Sequence, residues 1–353
     1  MSDSIKRIAV IPGDGIGREV IAEALRVLEV LKRRNRWPLE WVSFDWGAEK
    51  FLREGVTLPA GALEMFRREF HAILFGALGD PRVPSNQHAV DILLGTRFGL
   101  DLYVNQRPVK LLDARLCPLK GCAEREIDMV IFRENTEGAY AGMGGNFKRD
   151  TPEEVAVQED VNTRKGVERI IIHAFEHARR HNLKKLCMCD KSNAMPHGHG
   201  LWQRTFAEVR KRYPEVEASP LYVDTLALEM IRNPAQFQVI VTCNLFGDIL
   251  SDLGAGLVGG LGVTPSANLH PGSVSLFEPV HGSAPNIAGK NLANPLAAIL
   301  SAGMMLDYLG FPEAAGQIES AVAEAIHLDK TTPDLGGSLG TREVGDWICT
   351  RLA

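Results

Sequence analysis

Short apolar runs alternate with segments of helical periodicity along most of this chain, and that alternation limits the folds open to it. The apolar runs predict buried strands at residues 8–11, 72–75, 129–132, 185–188 and 239–241. The periodic segments predict helices at residues 17–34, 60–70, 166–181 and 246–258. Strands and helices in this order form βαβ units, so we expect an α/β fold with a large, mostly parallel sheet.

The size and charge of the chain exclude some classes of protein. Its 353 residues give room for one large α/β unit or for two domains. The net charge is −5 and no stripe of lysine and arginine is present, so nucleic acid is not an expected partner. The longest apolar stretch, residues 296–306, is shorter than the about 20 residues of a membrane span, so we expect a buried helix and no membrane partner.

The cysteines and the first residues of the chain indicate the cellular compartment. Six cysteines occur without a Cys-x-x-Cys pair, and we interpret them as small buried hydrophobic residues. The first residues run into the strand at 8–11 without an apolar signal core. The cytoplasm is therefore the expected location.

Residues 12–17, Pro-Gly-Asp-Gly-Ile-Gly, follow a predicted strand and open a predicted helix. A dinucleotide fingerprint has glycine at its first, third and sixth positions, but the sixth position counted from Gly13 is Arg18. A tight turn with Asp14 near the beginning of a helix accounts for the pattern. A Rossmann fold is therefore not expected.

Three arginines, Arg97, Arg107 and Arg133, lie near the ends of apolar segments. A planar guanidinium can bind a carboxylate through two hydrogen bonds, so the three together indicate a clamp for a dicarboxylate substrate. Each arginine taken alone is more typical of a surface position or of a salt bridge.

Two aspartates, Asp248 and Asp252, are four residues apart in a predicted helix and therefore project from one face. Two carboxylates so placed repel each other unless a cation lies between them, and ligands that are all oxygen favour Mg²⁺ or Mn²⁺. Asp224, after another strand-like run, is a candidate third ligand. The alternative is an acidic first turn that stabilises the helix dipole.

Lys191 and the segment from Glu278 to Asn294 are two further candidates. Lys191 follows a predicted buried strand, and a lysine there can act as a general base if its surroundings disfavour the charged form. The segment 278–294 contains glycines, prolines and His281, and rigid turns of this kind expose backbone N–H groups that suit a phosphate or nucleotide. Most lysines and loop histidines have neither role.

The glycine-rich residues 142–145 are followed by polar residues and a strand-like run at 154–158. This pattern predicts either a surface hairpin or an arm that pairs with another subunit, and the sequence does not decide between them.

In combination these motifs resemble those of the β-decarboxylating dehydrogenases, which act on isopropylmalate, isocitrate, homoisocitrate and tartrate or D-malate. The resemblance extends from the turn at 12–17 to the helix after Asn294 and Pro295. It implies the two-domain isopropylmalate dehydrogenase-like fold, with a cofactor-binding domain of residues 1–102 and 257–353. Residues 103–256 would form the domain for substrate, metal and dimerisation, with an arm near residues 140–160.

The resemblance also implies catalytic roles. Arg97, Arg107 and Arg133 would bind the carboxylates of a malate. Tyr140 would protonate the enol carbon, and Lys191 would assist in accepting the proton of the substrate hydroxyl.

The family further implies a divalent metal, a nicotinamide cofactor and a homodimer with a shared active site. Mg²⁺ or Mn²⁺ would bind Asp248 and Asp252, with Asp224 and Lys191 supplied by the neighbouring subunit. NAD would bind residues of the loop, namely Glu278, His281, Gly282, Ser283, Ala284, Pro285, Asn286 and Asn294. Relatives that use NAD usually have aspartate where this chain has Asn286, so we expect NAD with weak discrimination against NADP.

Within the family, the sequence favours a substituted malate with an apolar branch. Leu93 and Leu94 are placed to pack against the isopropyl group of 3-isopropylmalate, and neither a serine nor an asparagine is present at 92–94 to meet a third carboxylate. The alternatives are tartrate or D-malate, whose enzymes this chain resembles at residues 144–145, 158–159 and 163–166, and then isocitrate or homoisocitrate. A catalytically silent regulatory subunit of the same fold is an alternative of another class, which Tyr140, Lys191 and the three aspartates disfavour.

Overall fold

The computed structural model describes residues 5–121 and 126–353. The chain divides into two compact units. The first comprises Met1–Leu102, Leu111–Lys120 and Ala255–Ala353, and the second comprises Tyr103–Lys110 and Gly121–Gly254. This division differs from the predicted boundaries by assigning residues 111–120 and 255–256 to the first unit.

The described residues form the following elements. The strands are β1 (Lys6–Gly13), β2 (Leu39–Ser43), β3 (Ala72–Ala77), β4 (Val104–Lys110), β5 (Asp128–Glu134), β6 (Gly144–Phe147), β7 (Val155–Gln158), β8 (Lys185–Asp190), β9 (Glu217–Tyr222), β10 (Val239–Thr242), β11 (Pro265–Leu269) and β12 (Ser275–Pro279). The helices are α1 (Gly17–Asn35), α2 (Ala48–Glu54), α3 (Ala62–Glu69), α4 (Gln87–Ala89), α5 (Gly95–Gly99), α6 (Arg164–Arg180), α7 (Gly198–Val209), α8 (Val223–Arg232), α9 (Asn244–Val258), α10 (Leu296–Tyr308), α11 (Pro312–His327) and α12 (Thr341–Leu352). A π-helical turn at Val90–Leu94 separates α4 from α5.

In the first unit the strand order is β2-β1-β3-β12-β11. The strands are parallel except for the β11–β12 pair. All six residues of β3 are buried, as expected for a parallel strand whose two faces are covered. The strands predicted at 8–11 and 72–75 are therefore confirmed.

In the second unit the order is β4-β5-β10-β8-β9, and only the β4–β5 pair is antiparallel. The strands predicted at 129–132, 185–188 and 239–241 lie within β5, β8 and β10. The predicted α/β fold class, mostly parallel and not a Rossmann fold, is confirmed.

Local sequence explains where the predicted helices begin and end. The apolar side chains of α1 recur at helical spacing and are buried, and the helix ends at Arg36, which adopts a left-handed conformation (φ 54°). Thr163 caps α6 by accepting a hydrogen bond from the N–H of Gly166 at 3.0 Å. The predicted buried helix at 296–306 is α10.

The glycine-hinged segment is a hairpin of β6 and β7, paired in antiparallel register from Gly144 with Gln158 to Phe147 with Val155. All eight residues of the two strands are exposed, including Phe147 and Val157. A two-stranded ribbon with no buried face is only marginally stable by itself in water.

Two sequence-based expectations concern membranes and cysteines. Across the described residues, no helix has the length and apolar character that would let it cross a membrane. Cys187, Cys189 and Cys243 are buried free thiols, as predicted, whereas Cys117 forms a disulfide bond, so the interpretation as a free hydrophobic residue is wrong there. Cys122 lies outside the described residues.

Two histidines of α6, His173 and His177, pack against Phe132 of β5, with ring centroids 5.0 and 4.9 Å apart. Burial lowers the pKa of His173 to about 4 and that of His177 to about 3, and nearby basic groups contribute further. The folded state therefore keeps both rings neutral, whereas the unfolded chain takes up protons near pH 6.5.

We expect the free energy of unfolding to fall as the pH decreases from about 6.5 towards 4. Each neutral buried histidine then contributes a loss of about 1.4 kcal/mol per pH unit, because the unfolded state binds more protons. His177→Leu should reduce this loss, as measured by urea denaturation at pH 7 and pH 5. The matched control is His197→Leu, at an exposed position just before α7 in the same unit, which should leave the pH dependence unchanged. Equal pH dependence in His177→Leu and the parent would contradict the assignment.

Candidate active site

Asp248 of α9 is the centre of a polar cluster in the second unit. One carboxylate oxygen forms an ion pair with Arg133 of β5, and the other accepts a hydrogen bond from the Tyr140 hydroxyl at 2.7 Å. Arg133 also donates from Nε to Asn244 at 2.8 Å, and its guanidinium carbon lies 5.0 Å from the centre of the Tyr140 ring. A Cβ at Gly247 would lie 2.5 Å from that of Arg133, so glycine is required for this close approach.

Arg107 of β4 approaches the same helix from the neighbouring strand. It is buried, and its Nε donates to Asn105 at 2.8 Å, while Nη1 lies 3.5 Å from the hydroxyl of Ser251. That hydroxyl in turn donates to the backbone carbonyl of Asp248 at 2.9 Å. The structure therefore brings together four predicted site residues in one unit: Arg107, Arg133, Tyr140 and Asp248.

The ionisation of the two aspartates of α9 differs because their surroundings differ. Burial acts to raise the pKa of Asp248, but the charge of Arg133 and the hydrogen bond from Tyr140 outweigh it and lower the pKa. Loss of solvation and the negative charge of Asp248 raise the pKa of Asp252. Burial and the hydrogen bond to Asp248 raise the pKa of Tyr140, which keeps the phenol protonated and able to donate.

The chemistry of Asp248 and Asp252 fits a hard divalent cation. They lie one turn apart on α9, as predicted, and their mutual repulsion would be relieved by a cation between them. Among the residues that the structure describes, no group of three or more His, Cys, Asp or Glu side chains of the single chain is arranged to hold a metal ion. Asp224 therefore does not complete a three-carboxylate set with these two in one chain.

Asp224 instead forms an ion pair with Lys191. The ammonium group is 2.6 Å from Oδ1 of Asp224 and 5.6 Å from the centre of the Tyr222 ring. The hydrogen bond from Lys191 lowers the pKa of Asp224, which remains an exposed carboxylate at the beginning of α8. The two residues that the family resemblance assigns to a neighbouring subunit are thus adjacent to each other.

In the first unit, Arg97 of α5 is buried and forms an ion pair with Glu278 at 2.8 Å. Glu278 belongs to β12 rather than to the loop after it, and Asn268 donates to the same carboxylate oxygen at 2.8 Å. Leu93 and Leu94 are half-buried in the π-helical turn that precedes α5, and Leu93 packs against the apolar core of the unit. A π-turn is an uncommon element that often marks functional positions.

The predicted cofactor loop, residues 281–294, lies in the same unit. The Nε2 atom of His281 is buried without a hydrogen-bond partner, and such an atom suits a ligand that can satisfy it. Gly282, Pro285 and Asn286 are exposed, whereas Ser283 is buried and Ala284 is half-buried with a positive φ of 38°.

Asn294 closes this loop. It accepts from the N–H of Leu296, the first residue of α10, at 3.0 Å, and donates to Asp334 at 2.9 Å. The loop thus combines fixed ends with exposed backbone, and its residues fit a nucleotide.

Sequence reasoning missed Asn105, Asn244 and Ser251 in the second unit. They do not act by themselves but orient Arg107, Arg133 and the backbone of Asp248. Asn244 and Ser251 stand four residues before and three after Asp248, which is one helical turn, so that spacing was the available signal.

Comparison with known proteins identifies relatives along the whole chain. The family model for isocitrate/isopropylmalate dehydrogenase matches residues 7–348. A 3-isopropylmalate dehydrogenase from Thermobifida fusca is 45% identical over 355 residues, which covers 100% of this chain and 99% of that protein. A probable tartrate dehydrogenase/decarboxylase from Agrobacterium vitis is 42% identical over 350 residues, which covers 98% of each chain.

A solved structure gives the same result at the level of the fold. The crystal structure of isocitrate dehydrogenase from Methylococcus capsulatus matches with a TM-score of 0.89 and 38% identity, and the match covers 99% of each chain. Together with the geometry above, these matches show that the chain belongs to the isocitrate/isopropylmalate dehydrogenase family of decarboxylating dehydrogenases.

Proposed function

We propose that this protein catalyses the NAD-dependent oxidative decarboxylation of 3-isopropylmalate to 2-oxoisocaproate and CO₂, a step of leucine biosynthesis. The cluster formed by Arg133, Tyr140 and Asp248 carries the proposal. It combines a carboxylate-binding cation, a phenol that is held protonated and a carboxylate that is held ionised. These are the groups that an oxidation followed by loss of CO₂ requires.

Arg107 and Arg133 would bind the substrate in the second unit. Both guanidinium groups are buried, where their charge interacts more strongly with an anion than it would in water. In the free chain Arg133 is paired with Asp248. A dication bound to Asp248 and Asp252 would compete for that carboxylate and leave Arg133 available for a carboxylate of the malate. Arg97 is the third arginine that we propose for binding a substrate carboxylate.

A divalent cation held by Asp248 and Asp252 would supply stabilisation of negative charge on the substrate oxygen, and NAD held by residues 278–294 would supply the hydride acceptor. The residues of the chain then transfer protons. Lys191 would take the proton of the C2 hydroxyl, and Tyr140 would donate a proton to the carbon that loses CO₂. One proton is removed and one is supplied, so conversion of the dianionic malate to the monoanionic 2-oxo acid, CO₂ and NADH needs no net proton.

The preference for 3-isopropylmalate rests on Leu93 and Leu94 and on the names of the relatives. Because Leu93 packs into the core of its unit, we assign Leu94 as the main contact for the isopropyl group. The second candidate is tartrate or D-malate, and the relative from Agrobacterium vitis, a probable tartrate dehydrogenase/decarboxylase, supports tartrate. Isocitrate and homoisocitrate are third, because no polar residue at 92–94 meets a third carboxylate.

NAD is the proposed cofactor, bound by Glu278 of β12 and by the loop that follows it up to Asn294. Asn286 is exposed and neutral, so it can hydrogen-bond to ribose hydroxyls but does not repel a 2′-phosphate as aspartate would. We therefore propose a preference for NAD with weak discrimination against NADP.

A homodimer would complete the site. The hairpin of β6 and β7 exposes Phe147 and Val157, and α9 exposes Leu245 and Ile249 on the face that bears Asp252. Exposed apolar side chains beside the metal ligands favour a second chain at this surface, which would supply the Lys191–Asp224 pair.

The first experiment compares substrates. Purified protein with Mn²⁺ and NAD is assayed for NADH formation from 3-isopropylmalate, D-malate, tartrate, isocitrate and homoisocitrate. We expect the highest kcat/KM for 3-isopropylmalate.

Asp252→Asn should lower kcat by about hundredfold or more at limiting Mn²⁺, because it removes a proposed metal ligand.

The control for this experiment is Asp307→Asn on the exposed face of α10, which should retain full turnover. A higher kcat/KM for tartrate or D-malate would replace the proposed substrate by the second candidate. Turnover of none of the five would indicate the silent subunit.

Tyr140→Phe tests the proton donor. It removes the hydroxyl and keeps the ring over Arg133, so we expect kcat to fall by about hundredfold or more at saturating Mn²⁺ with little change in substrate KM. Tyr213→Phe is the matched control, because its hydroxyl also donates to a carboxylate, that of Glu176, at 2.7 Å. Similar kcat values in both variants would show that Tyr140 is not the donor.

A complementation experiment tests the shared site. Lys191→Ala and Asp252→Asn should each be inactive alone, but mixed dimers contain one site in which both residues are intact. Subunit exchange at equal ratio should therefore restore about a quarter of the parent activity. A mixture of Asp248→Asn and Asp252→Asn should restore none, because both residues lie on one helix. Failure of the first mixture to recover activity, although mass spectrometry shows mixed dimers, would contradict the proposal.

A further inference from the structure

Asp14, in the turn before α1, is the centre of a buried polar cluster in the first unit. Its Oδ1 accepts from the N–H of Ala48 at 2.7 Å, and its Oδ2 accepts from the N–H of Gly79 at 3.0 Å. The same Oδ2 lies 2.8 Å from Nε2 of His88. Asp14 is 3% exposed and His88 is 0% exposed. Because a carboxylate accepts hydrogen bonds, the imidazole donates to it.

His88 belongs to an irregular segment that leads to the substrate residues. Ser85 and Asn86, just before α4, have positive φ values of 54° and 50°. The π-helical turn Val90–Leu94 and then α5 with Arg97 follow directly. A backbone with such conformations persists only where surrounding contacts hold it, and the buried bond from His88 to Asp14 is such a contact.

The turn that contains Asp14 also contacts the predicted cofactor loop. The N–H of Ile16 donates to the carbonyl of Ser283 at 2.9 Å. A Cβ at Gly15 would lie 2.1 Å from that carbonyl oxygen, so the two backbones are as close as glycine allows. Asp14 is therefore connected to the loop on one side and to the segment with Leu94 and Arg97 on the other.

The chemistry of His88 is not that of a residue kept only to fill space. Its Nδ1 atom is buried without a hydrogen-bond partner, which costs free energy that an apolar residue of similar size would not incur. The ring stacks beside Phe51 with centroids 6.2 Å apart, so an apolar side chain would be accommodated. The hydrogen bond from Nε2 to Asp14 is therefore the feature of this side chain that an apolar residue could not replace.

We propose that His88 is a positioning residue for the proposed dehydrogenase reaction. Through its hydrogen bond to Asp14 it holds residues 87–97 against the turn at 13–16, and it thereby couples binding of the substituted malate to binding of the nicotinamide cofactor. The coupling between the two ligands rests on the proposed function, whereas the role of His88 in holding residues 87–97 in place is independent of it.

The test compares His88→Leu, which removes the donor, with His88→Gln, which keeps one. His71→Leu is the matched control, because His71 of the same unit also hydrogen-bonds, accepting from the N–H of Arg7 at 3.2 Å. Hydrogen–deuterium exchange of the full protein without ligand reports on residues 87–97. We expect faster exchange there in His88→Leu, exchange near the parent rate in His88→Gln, and no change at β1 in either.

The second readout is coupling between ligands. Calorimetric titration with Mn²⁺ present gives the Kd of 3-isopropylmalate with and without NADH, and the ratio of the two values measures the coupling. We expect His88→Leu to weaken malate binding by about tenfold in the presence of NADH and to bring the ratio near one, with partial recovery in His88→Gln.

Three results would overturn parts of this inference separately. Unchanged exchange at residues 87–97 in His88→Leu overturns the positioning role, whatever the activity. Faster exchange with an unchanged coupling ratio shows that His88 stabilises the segment but does not couple the ligands. Absence of malate binding and turnover in the parent protein overturns the proposed function, and the exchange result still decides the positioning role.

Discussion

The electrostatic balance around Asp248 is the constraint on which the candidate site depends. Two carboxylates on one face of α9 would repel each other, yet Asp248 is kept ionised because Arg133 and the Tyr140 hydroxyl both contact it. The same arrangement raises the pKa of Asp252 and of Tyr140. Burial and the charge of Asp248 thus act together to keep the Tyr140 hydroxyl protonated, while Arg133 and Tyr140 keep Asp248 ionised.

In the first unit, several candidate residues lie on irregular backbone, so contacts with other elements must fix their positions. Arg97 is held by Glu278, a residue of β12, so a guanidinium on a short helix is fixed by a strand. The segment that precedes Arg97 is held through His88 and Asp14. Rigid strands and buried polar contacts therefore place residues that their own local structure would leave poorly fixed.

Much of the fold and part of the site could be predicted from the sequence. Every strand and helix predicted from apolar periodicity is present in the fold, and the spacing of Asp248 and Asp252 correctly predicts that they share a helix face. Both signals are local in sequence. The π-turn at Val90–Leu94 could not be predicted, since its apolar pattern is compatible with an ordinary helix. The sequence predicts the turn that contains Asp14 but not the contacts of its side chain. The three hydrogen-bond partners of Asp14 are 34, 65 and 74 residues away in sequence.

The second unit combines an incomplete set of candidate ligands in one chain with exposed apolar side chains, and both features support the proposed dimer. The described residues provide two aspartates on α9 and place the third, Asp224, in a bond with Lys191. The α9 face beside Asp252 carries Ile249, which is 57% exposed, and the hairpin exposes Phe147 at 66%. In the proposed dimer, a second chain that covers these apolar side chains would also exclude water from the carboxylates of α9. Lower local polarity strengthens each charge interaction there, so one association event would both add ligands and raise their effect.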